Sequence, residues 1–426
     1  MDGQIGVYTM RMGSPMMPAD AVAAPAPSAS PRTIVGLPPT VVSLASTHFI
    51  VDAYTNIYAP PLLPLFIPRL GLSLTAVGVL AMCFQMASSV SQLAFGTLAD
   101  RWRPRVLLLA GPLLSVVVLS CVGWATSPVM LGALLVLGGL GGAAFHPVAA
   151  AAVFRASGAN KGFAMSVHIT GGSVGMAMAP LFFAPTIERL GLHWSPVIAI
   201  PGLAALWMLL RRMPSVERPE RSGRVGLSGL KPYARPLTLL YFTVVLRTLT
   251  SAGFATFMPV LLTRQGMSIA NASLAVTCYL LVSGIGGFSG GPLADRFGPR
   301  RVILASLISS VPFMVAASQL TGWWFTAAVS IGGLLLQSTL PVNVTYAQML
   351  APVGAATVSS LMMGFAWGMG SVMVPLVGLL GDLLGLPRAL LCISFVPLLG
   401  AVLAAQLPES TPGRAVNAGY AGVATL

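Results

Sequence analysis

The sequence predicts an all-α membrane protein of twelve transmembrane helices, arranged as two pseudo-symmetric bundles of six. Composition, recurrent apolar runs and an internal repeat carry that expectation. The 426 residues are 56% hydrophobic and 8% charged, with a mean hydropathy of +0.86; soluble globular chains are about 45–50% apolar and about 25% charged. Apolar runs of about 20 residues, the length that crosses hydrocarbon, begin near residues 38, 73, 105, 128, 162, 195, 236, 268, 300, 322, 356 and 387. Transmembrane strands would alternate over segments of about ten residues. These runs are instead apolar all round and punctuated by Gly and Pro, so helices are expected.

Taken in order, residues 1–37 are rich in Pro, Ala and Ser ("PADAVAAPAPSASPR") and lack a signal peptide's basic start, apolar stretch and cleavage site in sequence. They are expected to form a disordered tail. Residues 38–212 hold the first six runs. The polar, basic stretch "RRMPSVERPERSGRVGLSGLKPYARP" places a linker at 213–235, followed by a second bundle at 236–407 and a tail at 408–426. Cys83, Cys121, Cys278 and Cys392 fall inside spans at scattered spacing, which suggests small core residues and neither a disulfide framework nor a zinc site.

The net charge of +13 is distributed by membrane face. Of 23 basic residues, eighteen lie in the two tails, in the linker region from Arg211 to Arg235, or in the loops after spans 2, 4 and 8. The opposite face holds Arg69, Arg189, Arg264 and Arg388, and Arg247 alone falls inside a span. By the positive-inside rule both termini and the basic loops are expected on the cytoplasmic side of the inner membrane. The charge therefore reports topology and implies no nucleic-acid partner.

The two halves repeat each other at an offset of 195 residues. "GTLADRWRPR" from Gly96 matches "GPLADRFGPRR" from Gly291, while Pro64, Gly175 and Pro180 map onto Pro259, Gly370 and Pro375. A constant offset across four landmarks indicates an internal repeat. Parallel six-span repeats build one large class of secondary transporters, with substrate held between the halves near the midplane.

The paired motif resembles that of the major facilitator superfamily, whose loop between spans 2 and 3 carries a glycine, then Asp-Arg, then a glycine and basic residues. Gly96, Asp100, Arg101 and Arg105 match one copy; Gly291, Asp295, Arg296, Gly298, Arg300 and Arg301 match the other. The resemblance implies a gating loop at each site. Gly permits close helix approach, and Asp at a helix end meets a neighbouring helix N-terminus or an Arg. Arg103 and Pro104 replace the glycine and a basic residue in the first copy.

"THFIVD", "FHP" at Phe145–Pro147, "SGANKGFAMSVHITGG", "YAQMLAP" and "SLMMGFAWGMG" are similar to the fosmidomycin-resistance branch of that superfamily. This likeness implies proton-driven export. Val148 and Met349 stand where the branch commonly carries Glu. "GGSVGMAMAP", with Gly171, Gly172, Gly175 and Pro180, resembles the Gly/Pro motif of the fifth span of drug/proton antiporters, with Ala179 in place of a glycine. Small residues at this spacing also serve plain close packing.

Of ten acidic residues, only Asp52 lies deep in a span. A carboxylate there costs about 2.5–3.5 kcal/mol on insertion scales, so it is expected to face a cavity, carry a partner or hold a proton. The repeat maps position 52 onto Arg247, and the two are expected to face each other across the central cavity. His48, four residues before Asp52, shares its helical face and titrates near physiological pH. His146, in the Gly-rich fourth span, joins Asp52, Arg247 and His48 as a candidate for proton coupling or substrate contact. A static interdomain ion pair is the competing reading for Asp52 and Arg247. His168 is expected to be an interhelical packing residue.

No nucleotide loop, metal cluster, nucleophile motif or cofactor signature is present in the sequence, and no enzyme is expected. The expected function is alternating-access export of a small drug-like, anionic or polar molecule by proton antiport, from a functional monomer in the lipid bilayer. The rival is proton-coupled uptake of a small organic anion.

Overall fold

The computed structural model describes residues 37–57, 63–99, 104–157, 161–211, 227–351 and 355–409. Span 1 is Pro39–Thr55, and span 2 is Leu74–Ser89 continuing as Ser91–Ala99. Spans 3, 4 and 5 are Pro104–Trp124, Pro128–Ala156 and Lys161–Leu190, and in span 6 the 3-10 turns Leu192–Ile198 run into Ala199–Arg211. After a 3-10 entry at Leu227–Tyr233, spans 7, 8 and 9 are Ala234–Arg264, Ile269–Phe297 and Pro299–Gln319. Spans 10, 11 and 12 are Gly322–Leu350, Val358–Leu384 and Leu386–Ala404. Ten of these are long and apolar enough to cross a membrane among the described residues, and spans 1 and 2 complete the twelve.

The local reasons for these boundaries are visible at the ends. Ser73, Ser127 and Ser268 cap spans 2, 4 and 8 by accepting the backbone N–H three residues on, at 3.1 to 3.2 Å. Proline opens spans 3, 4 and 9, where its missing N–H has no helical partner to lose. Between spans 8 and 9 the chain reverses at Gly298 with φ 86°, a backbone conformation that a side chain would strain. Large apolar side chains such as Val129, Phe288 and Trp324 face outward, as they do where lipid is the solvent.

The repeat is also a packing repeat. Gly175 of span 5 lies so close to span 1 that a Cβ would sit 2.1 Å from the Phe49 carbonyl oxygen; its counterpart Gly370 of span 11 lies against span 7, with a Cβ 2.6 Å from Thr248. Gly171 and Gly172 continue the same contact along span 1, against Ala45 and against His48 and Asp52. All four cysteines are unpaired, and none is the core residue expected: Cys83, Cys121 and Cys278 are half-buried and Cys392 is exposed.

At the end of the bundle away from the linker, spans 2 and 11 join the two halves. The Asp382 carboxylate of span 11 accepts the backbone N–H of Leu74 at 2.8 Å, that of Thr75 at 2.9 Å and the Thr75 hydroxyl at 2.6 Å. An acid of one half thus caps the span 2 N-terminus of the other. Glycines allow the approach: a Cβ on Gly78 would meet Pro375 Cα at 2.7 Å, and one on Gly378 would meet the Leu74 oxygen at 2.2 Å.

The motif expected to gate the linker end is not closed in this way. Gly291, Asp295 and Arg296 are part of span 8 itself, not of a loop. A Cβ on Gly291 would meet nothing within 4 Å. Asp295 and Arg296 are exposed, Arg296 lying over Phe297. Arg300 turns toward the end of its own half, donating to the Ala405 carbonyl at 2.5 Å and pairing with Glu409 at 3.2 Å. It pins span 9 to the end of span 12 because those are the acceptors within its reach. In the first copy, Gly96 lies in the helix Ser91–Ala99 and Arg105 in the first turn of span 3, while Asp100 and Arg101 lie outside the described residues, as do most of both tails and of the linker.

Candidate functional site

Span 1 brings His48 and Asp52 to one helical face, four residues apart. Asp52 is 8% exposed. Its Oδ2 lies 3.2 Å from His48 Nε2, and its Oδ1 lies 3.4 Å from His146 Nε2 of span 4. His146 comes from a helix that runs unbroken through Pro147, which has no N–H to offer to the carbonyl one turn back.

The tautomer of His48 follows from its second contact. Its Nδ1 is 2.8 Å from the His168 backbone carbonyl, an acceptor only, so Nδ1 carries the hydrogen and donates. The opposite nitrogen then faces a carboxylate oxygen. That contact is attractive only when a proton lies between Nε2 and Oδ2. The His48, Asp52 and His146 donor atoms lie within 4.8 Å of one another, close enough to hold a shared proton or a small cation. The sequence named all three as candidates, but His146 is remote from span 1 along the chain and only packing of span 4 against span 1 brings it to Asp52.

His168 contributes more than the packing role expected of it. Besides supplying the carbonyl, its ring centroid lies 4.3 Å from that of His48, and its Nδ1 is buried without a partner. Gly172, one turn further along span 5, leaves the space the pair occupies: a Cβ there would sit 2.5 Å from both Asp52 Oδ2 and His48 Nε2. Tyr54 donates to the Ile198 carbonyl at 2.6 Å and Asn56 to the Met176 carbonyl at 2.8 Å, holding the end of span 1 to spans 6 and 5.

Arg247 does not meet Asp52. It is 2% exposed in span 7 and its contacts lie in its own half. One Nη donates to Gln337 Oε1 of span 10, the other to Thr248 Oγ1 at 3.1 Å, and its Cζ lies 5.8 Å from the Trp367 ring centre of span 11. Its Nε is buried with no partner, and so is Asn343 Oδ1 of span 10. The repeat equates the two positions, but each side chain is held where local acceptors or donors lie nearest. Gln337 and Thr248 escaped the sequence reading because neutral polar residues within apolar runs carry no distinctive pattern. Asp382 escaped it because a carboxylate near a span end reads as ordinary surface.

The chain matches the Major Facilitator Superfamily over residues 44–244 and 240–423. It belongs to that family. It is 31% identical over 395 residues to YfnC, an uncharacterized MFS-type transporter of Bacillus subtilis strain 168, covering 87% of this chain and 93% of that protein. It is 28% identical over 406 residues to the fosmidomycin resistance protein of Escherichia coli K12, covering 92% and 98%. A bacterial homolog of the human lysosomal transporter Spinster, solved in an inward-facing and occupied conformation, shares the fold with a TM-score of 0.75 at 17% identity, over 87% of this chain and 98% of that one. The protein is thus a major facilitator transporter, multi-pass in its membrane, of a fold built for moving small molecules.

Proposed function

We propose that this major facilitator protein exports a small anionic or polar molecule by proton antiport, with Asp52 as the coupling carboxylate and the basic loops facing the cytoplasm. The observation that carries the reading is the His48–Asp52–His146 set in the interior of a transmembrane bundle. Two imidazoles around one carboxylate form a place where a proton can be held and surrendered inside the membrane. Arg247, a fixed positive charge with a free N–H in the other half, supplies attraction for an anionic group. The halves rock about the midplane. The state described is sealed by Asp382 at the end away from the linker, while the Gly291 motif at the linker end is disengaged.

A proton shared by Asp52 and His48 holds the pair together and its loss leaves a carboxylate facing an imidazole lone pair, and opening of the cavity changes the solvation of all three groups. Proton release can therefore follow conformation. The export direction rests on the likeness to the fosmidomycin resistance protein. The test uses proteoliposomes with an imposed pH gradient, following lumenal pH on addition of fosmidomycin, for wild type and Asp52→Asn. Compound-dependent proton flux in wild type that disappears in the variant supports the reading. Flux unchanged in Asp52→Asn refutes the coupling role and leaves Asp52 a packing partner of the histidines; acidification of the interior as the compound enters would refute antiport in favour of symport.

A further inference from the structure

Outside the central site, spans 3 and 6 enclose a cleft of about 540 Å³ on the outer surface of the first half, lined by Arg105, Leu109, Leu113, Leu203, Trp207 and Arg211. These six residues are two helical stripes. Arg105, Leu109 and Leu113 recur every four residues along span 3, and Leu203, Trp207 and Arg211 do the same along span 6, so each set lies on one face. Both arginines are at the linker end, Arg105 in the first turn of span 3 and Arg211 at the last position of span 6. Each stripe becomes apolar away from that end over about 12 Å of helix rise.

The polarity order matches that of an amphiphile standing in one leaflet. Guanidinium groups sit at the level of headgroups, a tryptophan at the interface, and leucines where acyl chains lie. Both arginines are exposed, and neither has an ion-pair partner among the described residues. Arg211 is instead folded over Trp207, its Cζ 3.7 Å from the ring centre. Two like charges converging on one cleft repel unless an anion lies between them. Leu113 and Trp207 are exposed, which keeps the cleft open to the lipid side.

The geometry points to a binding site for an anionic phospholipid: its phosphate bridges Arg105 and Arg211, and an acyl chain lies along Leu109, Leu113 and Leu203. The leaflet is the one on the linker side, where basic pockets between helices recruit acidic headgroups. A free phosphate shares the headgroup chemistry but not the apolar wall, so the two sources separate experimentally.

The test is native mass spectrometry of the delipidated full-length protein offered equal amounts of phosphatidylglycerol and phosphatidylcholine with identical acyl chains. The wild type is expected to retain phosphatidylglycerol selectively. With about 1 kcal/mol per basic residue near an acidic surface, the selectivity should fall about five-fold in R105Q or R211Q and about 30-fold in the double variant. Unchanged selectivity in the double variant overturns the site. Displacement of the lipid by millimolar inorganic phosphate overturns the lipid reading in favour of a free anion. Neither readout depends on transport, so the outcome is independent of the proton-antiport proposal.

Discussion

Asp52 and Arg247 occupy the same position of the internal repeat, and the two halves use it in opposite ways. The first half surrounds a carboxylate with histidines from spans 1 and 4, all groups that can exchange protons. The second half holds a guanidinium that stays charged, fixed by Gln337 and Thr248 and flanked by Trp367. Duplication supplied one scaffold, and divergence at a single buried position separated a titratable side from a permanently charged side. Under the proposed function, coupling belongs to one bundle and anion attraction to the other.

The largest effect that follows is on proton movement. Asp52→Asn should reduce compound-dependent proton flux in proteoliposomes on the order of 100-fold, the scale a positioned proton-transfer group contributes. Arg247→Gln should act differently, raising the KM for an anionic substrate by about 10- to 100-fold through loss of charge-assisted hydrogen bonds. Proton flux at saturating substrate should survive that change. If both variants lose flux and affinity alike, the division of labour between the halves is wrong.

Gly172→Ala tests the same division through packing. Its Cβ would fall 2.5 Å from Asp52 Oδ2 and from His48 Nε2, so about 1–3 kcal/mol of overpacking is expected. A lowered Tm with lost proton flux is the anticipated result. Gly291→Ala, where a Cβ meets open space, should leave Tm unchanged and serves as its control.

Asp382→Asn removes a charged acceptor from the span 2 cap and should shift the ratio of the two end-open states by about 1–2 kcal/mol, roughly 5- to 30-fold. Distance measurements between spin labels across the end away from the linker should show the longer separation gaining population. No redistribution would mean that the glycine contacts alone seal that end. The smallest change is expected for Arg300→Ala, whose exposed partner Glu409 makes the pair worth less than about 1 kcal/mol. A thermal melt should register it weakly.

Much of the fold was legible because its signals are local. Span positions follow from runs of apolar residues; the structure begins each span close to where hydropathy puts it. The repeat offset was readable too, since Gly175 and Gly370 perform matching contacts. For the site, His48 and Asp52 could be paired by helical spacing alone. His146 could be proposed only by resemblance, and His168 was assigned to packing because nothing in its neighbourhood along the chain reveals that its carbonyl orients another histidine.

The sequence by itself determined that the chain lies in a membrane, how many times it crosses, where it repeats and which buried positions are charged. Bilayer thickness and the cost of burying charge act on each segment separately, so those properties are written into each run. Only the tertiary structure decided which charges meet. Asp52 turned to His48 and His146 instead of Arg247 because a buried ionic group takes the nearest partner its helix packing offers, and that packing is set by glycines such as Gly172 and Gly175 along span 5.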